Sequence, residues 1–118
     1  MATEVTMGPL ERRAMEVLWA EHERYVPVRE VAARLDPGLA YTTVMTLLVR
    51  LHAKGLLERR REGRGFRYRP CVSRSAFAAA AMDRALRQSD DPPGVLLHFV
   101  GQLTPDEQAA LRELLDDP

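Results

Sequence analysis

Thr42, Thr43, Thr46 and Arg50 stand close together in "AYTTVMTLLVRL", residues 40–51. On a helix with residue 42 at the origin, Thr46, Arg50 and Thr43 follow at about 40°, 80° and 100°, so the four share one side. Threonine is a mediocre helix former, because its branched side chain loses rotamer freedom against the preceding turn. A helix that only had to pack would do better with Ala, Glu or Lys. Hydroxyls beside a guanidinium suit a different task. A threonine hydroxyl can donate to a phosphate oxygen or a base acceptor, and its methyl can meet the thymine methyl. Arg50 suits a phosphate or a guanine edge. The first N–H groups of such a helix can hold a phosphate. The plainer alternative makes Thr42 or Thr43 an N-cap and Thr46 a neutral surface residue.

A second concentration of cations follows. Arg59, Arg60, Arg61, Arg64, Arg67 and Arg69 fall within eleven residues, opposed there only by Glu62. "EGRG" (62–65) is a turn that displays one cation, Arg64, at its tip. Such a tip can lie over a sugar-phosphate backbone or reach a minor groove. The same charges could also protect a solvated edge strand.

Little else in the chain offers chemistry. The three histidines, His22, His52 and His98, lie in different elements without metal-ligand spacing. The lone Cys71 near Arg69 reads as a neutral thiol. Asp90-Asp91 and Asp116-Asp117 are adjacent pairs in a break and at the tail, suited to solvated caps. There is no phosphate loop and no nucleophile–base arrangement. The expectation is a protein that is not an enzyme and takes no cofactor or metal.

The elements that must position these residues can be read along the chain. A first helix is expected from about Pro9 to Glu23, with Leu10, Ala14, Val17 and Leu18 on one face and Trp19 beside it. Residues 25–28 read as extended because of Pro27. "VREVAARL" (28–35) makes a second helix with Val28, Val31, Ala32 and Leu35 inward, and "DPG" ends it. The third helix covers about 41–54, with Val44, Leu47, Leu48 and Leu51 on the side opposite the threonines and Gly55 as its cap. Two alternating runs around the "EGRG" turn, within 56–70, read as a β-hairpin. Three helices with a hairpin directly after the third is the winged helix-turn-helix order, whose third helix enters the major groove.

From Ser73 the texture changes. "SRSAFAAAAMDRALRQ" is strongly helical. "SDDPPG" (89–94) reads as a break, "VLLHFVGQL" as a short apolar helix, and "TPDEQAALRELLDD" as a helix opened by a Thr104–Glu107 capping box. Phe77, Ala81 and Leu86, alternating with Met82 and Ala85, form one broad apolar face. Val95, Leu96, Leu97, Phe99, Val100 and Leu103 form another, and Leu111, Leu114 and Leu115 a third. A segment this short cannot bury so much apolar surface alone, so a partner chain is the simplest cover. The expected class is mainly α with a small β-hairpin: a winged helix-turn-helix domain over 1–72, then a helical dimerisation region over 73–118.

The 118 residues balance 17 basic against 17 acidic side chains, but unevenly. Residues 1–72 hold 13 basic and 9 acidic residues, whereas 73–118 hold 4 and 8. Residues 39–72 alone hold 8 and 2. A basic block ahead of an acidic one is a sign asymmetry that fits a polyanion partner on the first segment, and equally a chance segregation of solvated charges. Hydrophobic residues at 46% and charged residues at 29% fit a folded protein. No apolar run approaches membrane-helix length, "MATEVTMGPLERR" is not a secretory signal, and one cysteine cannot form an internal disulfide. A cytoplasmic location is expected.

The chain resembles the BlaI/MecI penicillinase-repressor family. The resemblance rests on "GPLERRAMEVLW" (8–19), "YTTVMTLLVRLHAKGLL" (41–57), "EGRGFRYRP" (62–70) and "LLHFV" (96–100). It implies a homodimeric bacterial repressor on an inverted-repeat operator of double-stranded DNA. By motif match the DNA contacts would come from Tyr41, Thr42, Thr43, Thr46 and Arg50, with Arg64 near the wing tip. The C-terminal helices, with Phe77, Leu86, Leu96, Leu97, Phe99, Val100, Leu111 and Leu114, would interlock with their dimer mates. β-Lactam-responsive members are cut by a protease of the signalling pathway between Asn and Phe of an "NFV"-like stretch. Here that stretch is His98-Phe99-Val100, so His98–Phe99 is the candidate bond and His98 stands where the asparagine would be. A copper-responsive branch uses C-terminal cysteines, and this chain has none there.

Two other readings compete. One is a winged helix that binds protein and never touches DNA, against which the basic 39–72 block speaks. The other is a regulator that senses a small ligand through His98, Cys71 and Met82.

Overall fold

Gly8 and Pro9 start the first helix, α1 (Pro9–Trp19), in the way the proline predicts. The carboxylate of Glu11 turns back and accepts from the Gly8 N–H at 3.1 Å. The structure, a computed structural model, describes residues 7–21 and 24–116. It resolves into two compact units, Met1–Phe77 and Ala78–Pro118. α1 stops at Trp19, short of the expected Glu23. The Glu21 N–H bonds to the Leu18 carbonyl and tightens the chain into a turn there. His22 and Glu23 lie outside the described residues.

After strand β1 (Val26–Pro27) come α2 (Val28–Leu35) and α3 (Tyr41–Ala53), then β2 (Leu57–Glu62) and β3 (Gly65–Pro70). Ala14, Met15 and Leu18 of α1 meet Val28, Val31 and Leu35 of α2 and Val44, Leu47, Leu48 and Leu51 of α3 in one buried core. The stripe expected on α3 is buried throughout, and that on α2 is buried at Val28, Val31 and Leu35, with Ala32 half-buried beside them. On α1 the buried face is turned toward Met15 and Glu11, and Leu10 and Val17 are left half-buried at its margins. Asp36 forms the turn after α2, its Oδ1 accepting from the Gly38 N–H at 2.8 Å. Arg13 donates to the Leu35 carbonyl at 2.8 Å and ties the end of α2 to α1.

α3 ends where Gly55 takes a positive φ of 80°, and the Leu56 N–H reaches back to the Leu51 carbonyl at 3.1 Å. This six-to-one bond closes the helix and turns the chain into β2. The hairpin pairs Leu57 with Pro70 and Glu62 with Gly65, leaving Gly63 and Arg64 as a two-residue loop. Gly63 has φ of 60°, as the first loop position of a primed turn requires. The sheet has three strands, not two. β1 adds to the far side of β3, with Val26 opposite Tyr68 and Pro27 opposite Arg67. A two-residue edge strand tolerates Pro27, which has no N–H to give. Tyr68, Leu56, Leu57 and Val26 complete the core from this side. The element order is that of a winged helix-turn-helix.

The remaining helices are α4 (Arg74–Gln88), α5 (Pro92–Gln102) and α6 (Pro105–Asp116). The first turn of α4 belongs to the first unit, because the Phe77 ring packs on Trp19, 5.8 Å between centroids. α5 begins three residues before the expected Val95. Pro92 and Pro93 occupy its first turn, where no N–H is needed, and Asp91 Oδ1 caps the Gly94 N–H at 3.2 Å. α6 opens with the expected capping box: Thr104 Oγ1 accepts from the Glu107 N–H, and Glu107 Oε1 from the Thr104 N–H. None of the described side chains on α4, α5 and α6 is buried. The chain is therefore mainly α with a small antiparallel sheet.

Candidate nucleic-acid interface

The recognition candidate is the outer side of α3. Its inner side is sealed by Val44, Leu47, Leu48 and Leu51, and this burial fixes the opposite direction for the rest. Tyr41, Thr42, Thr43, Thr46 and Arg50 are all exposed. The N-cap is Ala40, and no side chain caps the helix. Neither Thr42 nor Thr43 serves the capping role that competed with a functional one. Among the described residues no hydroxyl of Thr42, Thr43 or Thr46 has a hydrogen-bond partner. The first turn carries no acid. These groups face outward with their hydrogen-bonding capacity unspent, next to N–H groups at the positive end of a helix. Met45 and Val49 share this outer side and are 40% and 45% exposed. Sequence reasoning passed over Met45, although its separation from the core stripe could have shown that it lies outside.

The wing is more differentiated than a count of arginines suggests. Register places Arg59 opposite Tyr68 and Arg61 opposite Phe66, so these four share a face of the sheet. Glu58 opposite Arg69, and Arg60 opposite Arg67, share the other. On that second face Arg67 pairs with Glu62, Nε to Oε1 2.5 Å, and Arg69 with Glu58. Arg60 and Arg69 also lie over the Tyr25 ring, at 4.6 and 4.4 Å. Glu58 therefore opposes the wing arginines as well as Glu62, a pairing that becomes visible only with the register. Arg64, exposed at the tip, makes no ion pair, hydrogen bond or ring contact among the described residues.

Two anchors hold this arrangement. Lys54, at the end of α3, reaches the buried Glu11 at the start of α1, with Nζ 3.0 and 2.9 Å from the two carboxylate oxygens. Burial alone would push the Glu11 carboxyl up. The Lys54 and Gly8 hydrogen bonds, with the charges of Lys54 and Arg50, outweigh it and hold the group below the usual 4.5. At the base of the hairpin, Trp19 Nε1 donates to the Val72 carbonyl at 2.8 Å, and the Cys71 thiol to the Gly55 carbonyl at 3.0 Å.

The residues expected at a dimer interface divide between the two units. Phe77 packs on Trp19 in the first. In the second, Leu86 and Leu111 are half-buried, and Leu96, Leu97, Phe99, Val100 and Leu114 are exposed, Leu97 and Leu114 by about three quarters. His98–Phe99 lies inside α5, so a protease would need that helix to open locally. The three residues considered for ligand sensing do not share a unit: Cys71 belongs to the first, Met82 and His98 to the second. Among the described residues no group of three or more His, Cys, Asp or Glu could hold a metal ion. No helix among them is long and apolar enough to cross a membrane.

Comparison with known proteins agrees with the resemblance in the motifs. The family model described as penicillinase repressor matches residues 7–117. The transcriptional regulator BlaI of Mycobacterium tuberculosis, in strains CDC 1551 / Oshkosh and ATCC 25618 / H37Rv, is 42% identical over 122 aligned residues, covering 98% of this chain and 86% of the relative. Among solved structures, the zinc-responsive MarR family member ZitR of Lactococcus lactis aligns with a TM-score of 0.46 at 15% identity, over 96% of this chain and 74% of that one. The zinc-dependent MarR family regulator AdcR aligns at 0.42 and 20%, over 97% and 74%. These two overlaps are too loose to add to what the chain's own topology shows. A family match across nearly the whole chain and a near full-length relative at 42% identity leave one assignment: the chain belongs to the penicillinase repressor family, and so to transcriptional regulators rather than enzymes.

Proposed function

We propose that the chain is a sequence-specific DNA-binding repressor that acts as a homodimer on an inverted-repeat operator. The observation that carries this reading is the outer side of α3, where the hydroxyls of Thr42, Thr43 and Thr46 and the guanidinium of Arg50 are exposed beside an uncapped helix start. In the major groove, Thr42, Thr43, Thr46 and Arg50 read base edges, and Tyr41 with the first N–H groups of α3 holds a phosphate. Arg64 meets the backbone from the wing tip. The exposed leucines of α5 and α6, with Phe99 and Val100, join the two copies, and a two-fold dimer requires a two-fold operator. Such a regulator works in the cytoplasm, where a bacterial chromosome lies.

The test is fluorescence anisotropy with an inverted-repeat duplex selected from a random library, against a scrambled duplex, at two salt concentrations. The proposal expects preference for the selected duplex of about a thousandfold, with two chains bound per duplex. Weak and equal binding to both would remove base readout and favour a winged helix that binds protein.

A further inference from the structure

Register divides the wing into two faces of different character. Leu57, Tyr68 and Val26 enter the core on one face, and Arg59, Arg61 and Phe66 continue that same face beyond the core toward the tip. It is the side of the sheet against which α3 packs. On the opposite side Arg67 pairs with Glu62 and Arg69 with Glu58, while Arg60 lies over the Tyr25 ring and faces away from the α3 side of the sheet. Arg59 and Arg61 have no acidic partner among the described residues. Both meet one ring instead: the guanidinium carbon of Arg59 lies 4.0 Å from the Phe66 centroid, and that of Arg61 lies 5.5 Å away. Phe66 is itself fixed, half-buried beside Tyr68 with 6.4 Å between ring centroids.

An aromatic face holds a guanidinium without neutralising it. An acidic partner would hold it too, but would cancel the charge a phosphate needs. Long arginine side chains lose rotamer freedom on contact, and a ring that orders them beforehand removes part of that loss. From this geometry we infer that Arg59 and Arg61 are the phosphate contacts of the wing strand, and that Phe66 is the positioning residue that presents them. Arg60, Arg67 and Arg69 serve the sheet's outer side. The inference rests on the DNA-binding reading and deepens it.

The experiment measures salt dependence and a double-mutant cycle on the full-length protein, with both duplexes. Arg59→Ala and Arg61→Ala each reduce the salt slope by about one counterion and weaken both duplexes alike. Phe66→Leu keeps every charge. It weakens both duplexes by about threefold to tenfold, leaves the slope in place, and has no further effect once Arg59 and Arg61 are both alanine. Phe66→Tyr, which keeps the ring, binds as the wild type does. An unchanged slope in both arginine variants would overturn the inference, however the Phe66 variants behave. So would an equal Phe66→Leu effect with and without the two arginines, which marks a merely structural role. Wild-type protein that bound neither duplex would instead overturn the DNA-binding reading on which the inference stands.

Discussion

Lys54 and Glu11 are 43 residues apart in sequence, yet Nζ lies within 3.0 Å of both carboxylate oxygens. The pair ties the C-cap of α3, the helix that carries the threonine face, to the first turn of α1. Glu11→Gln removes the charge while keeping size. It should lower stability at neutral pH by about 1–3 kcal/mol, because a charged hydrogen-bonded pair in a partly buried site is broken. The folded carboxyl titrates below 4.5, its unfolded value. A depressed pKa contributes stability that is fully present above about 4.5 and is lost as pH falls through the lower folded value. Thermal unfolding from pH 7 to pH 3 should show the gap between wild type and variant narrowing below pH 4.5. A gap constant over that range would mean the pair does not stabilise the fold.

How much of this could be read beforehand depended on how local each feature is. Val44, Leu47, Leu48 and Leu51 repeat at helical spacing, so the buried side of α3, and with it the exposed threonines, was legible from that spacing alone. The capping box at Thr104 was equally local. The extended backbone at 25–28 was legible from Pro27, but the pairing of β1 with β3 was not, because two residues carry no alternation and the partner lies some 40 residues away. The start of α5 was hidden because Pro92 and Pro93 signal a break everywhere except in a first turn. The division of the wing arginines needed the register, and the register follows from a two-residue loop at Gly63 and Arg64. Glu11 gave a weak signal, three residues after Gly8, but nothing local pointed to Lys54.

Thr46 separates function from stability. Its hydroxyl has no internal partner among the described residues, and alanine is the better helix former. Thr46→Ala should leave the melting temperature unchanged or slightly raised, while operator discrimination against the scrambled duplex falls by about 1–3 kcal/mol. Circular dichroism melting and anisotropy on the same sample make the comparison. A variant that kept full discrimination would exclude Thr46 from base readout.

Arg64 stands alone at the wing tip, and its charge is not offset by any neighbour among the described residues. Arg64→Ala should weaken selected and scrambled duplexes by the same factor and reduce the salt slope by about one. A loss confined to the selected duplex would instead place Arg64 against a base edge.

Leu97 tests the assembly. It is 73% exposed in the middle of α5, and the helices around it bury none of their described side chains within the chain. Leu97→Asp sets a charge where the proposed interface is dry, and burial of an unpaired carboxylate is strongly unfavourable. Sedimentation should show a monomer where the wild type sediments as a dimer. Operator affinity should fall steeply, because each half-site is then held by one chain without the other. Isolated half-site duplex should bind the variant as well as the wild type, since the core around Leu48 and Tyr68 lies in the first unit. If Leu97→Asp still sedimented as a dimer, the interface would have to be sought on another face of these helices.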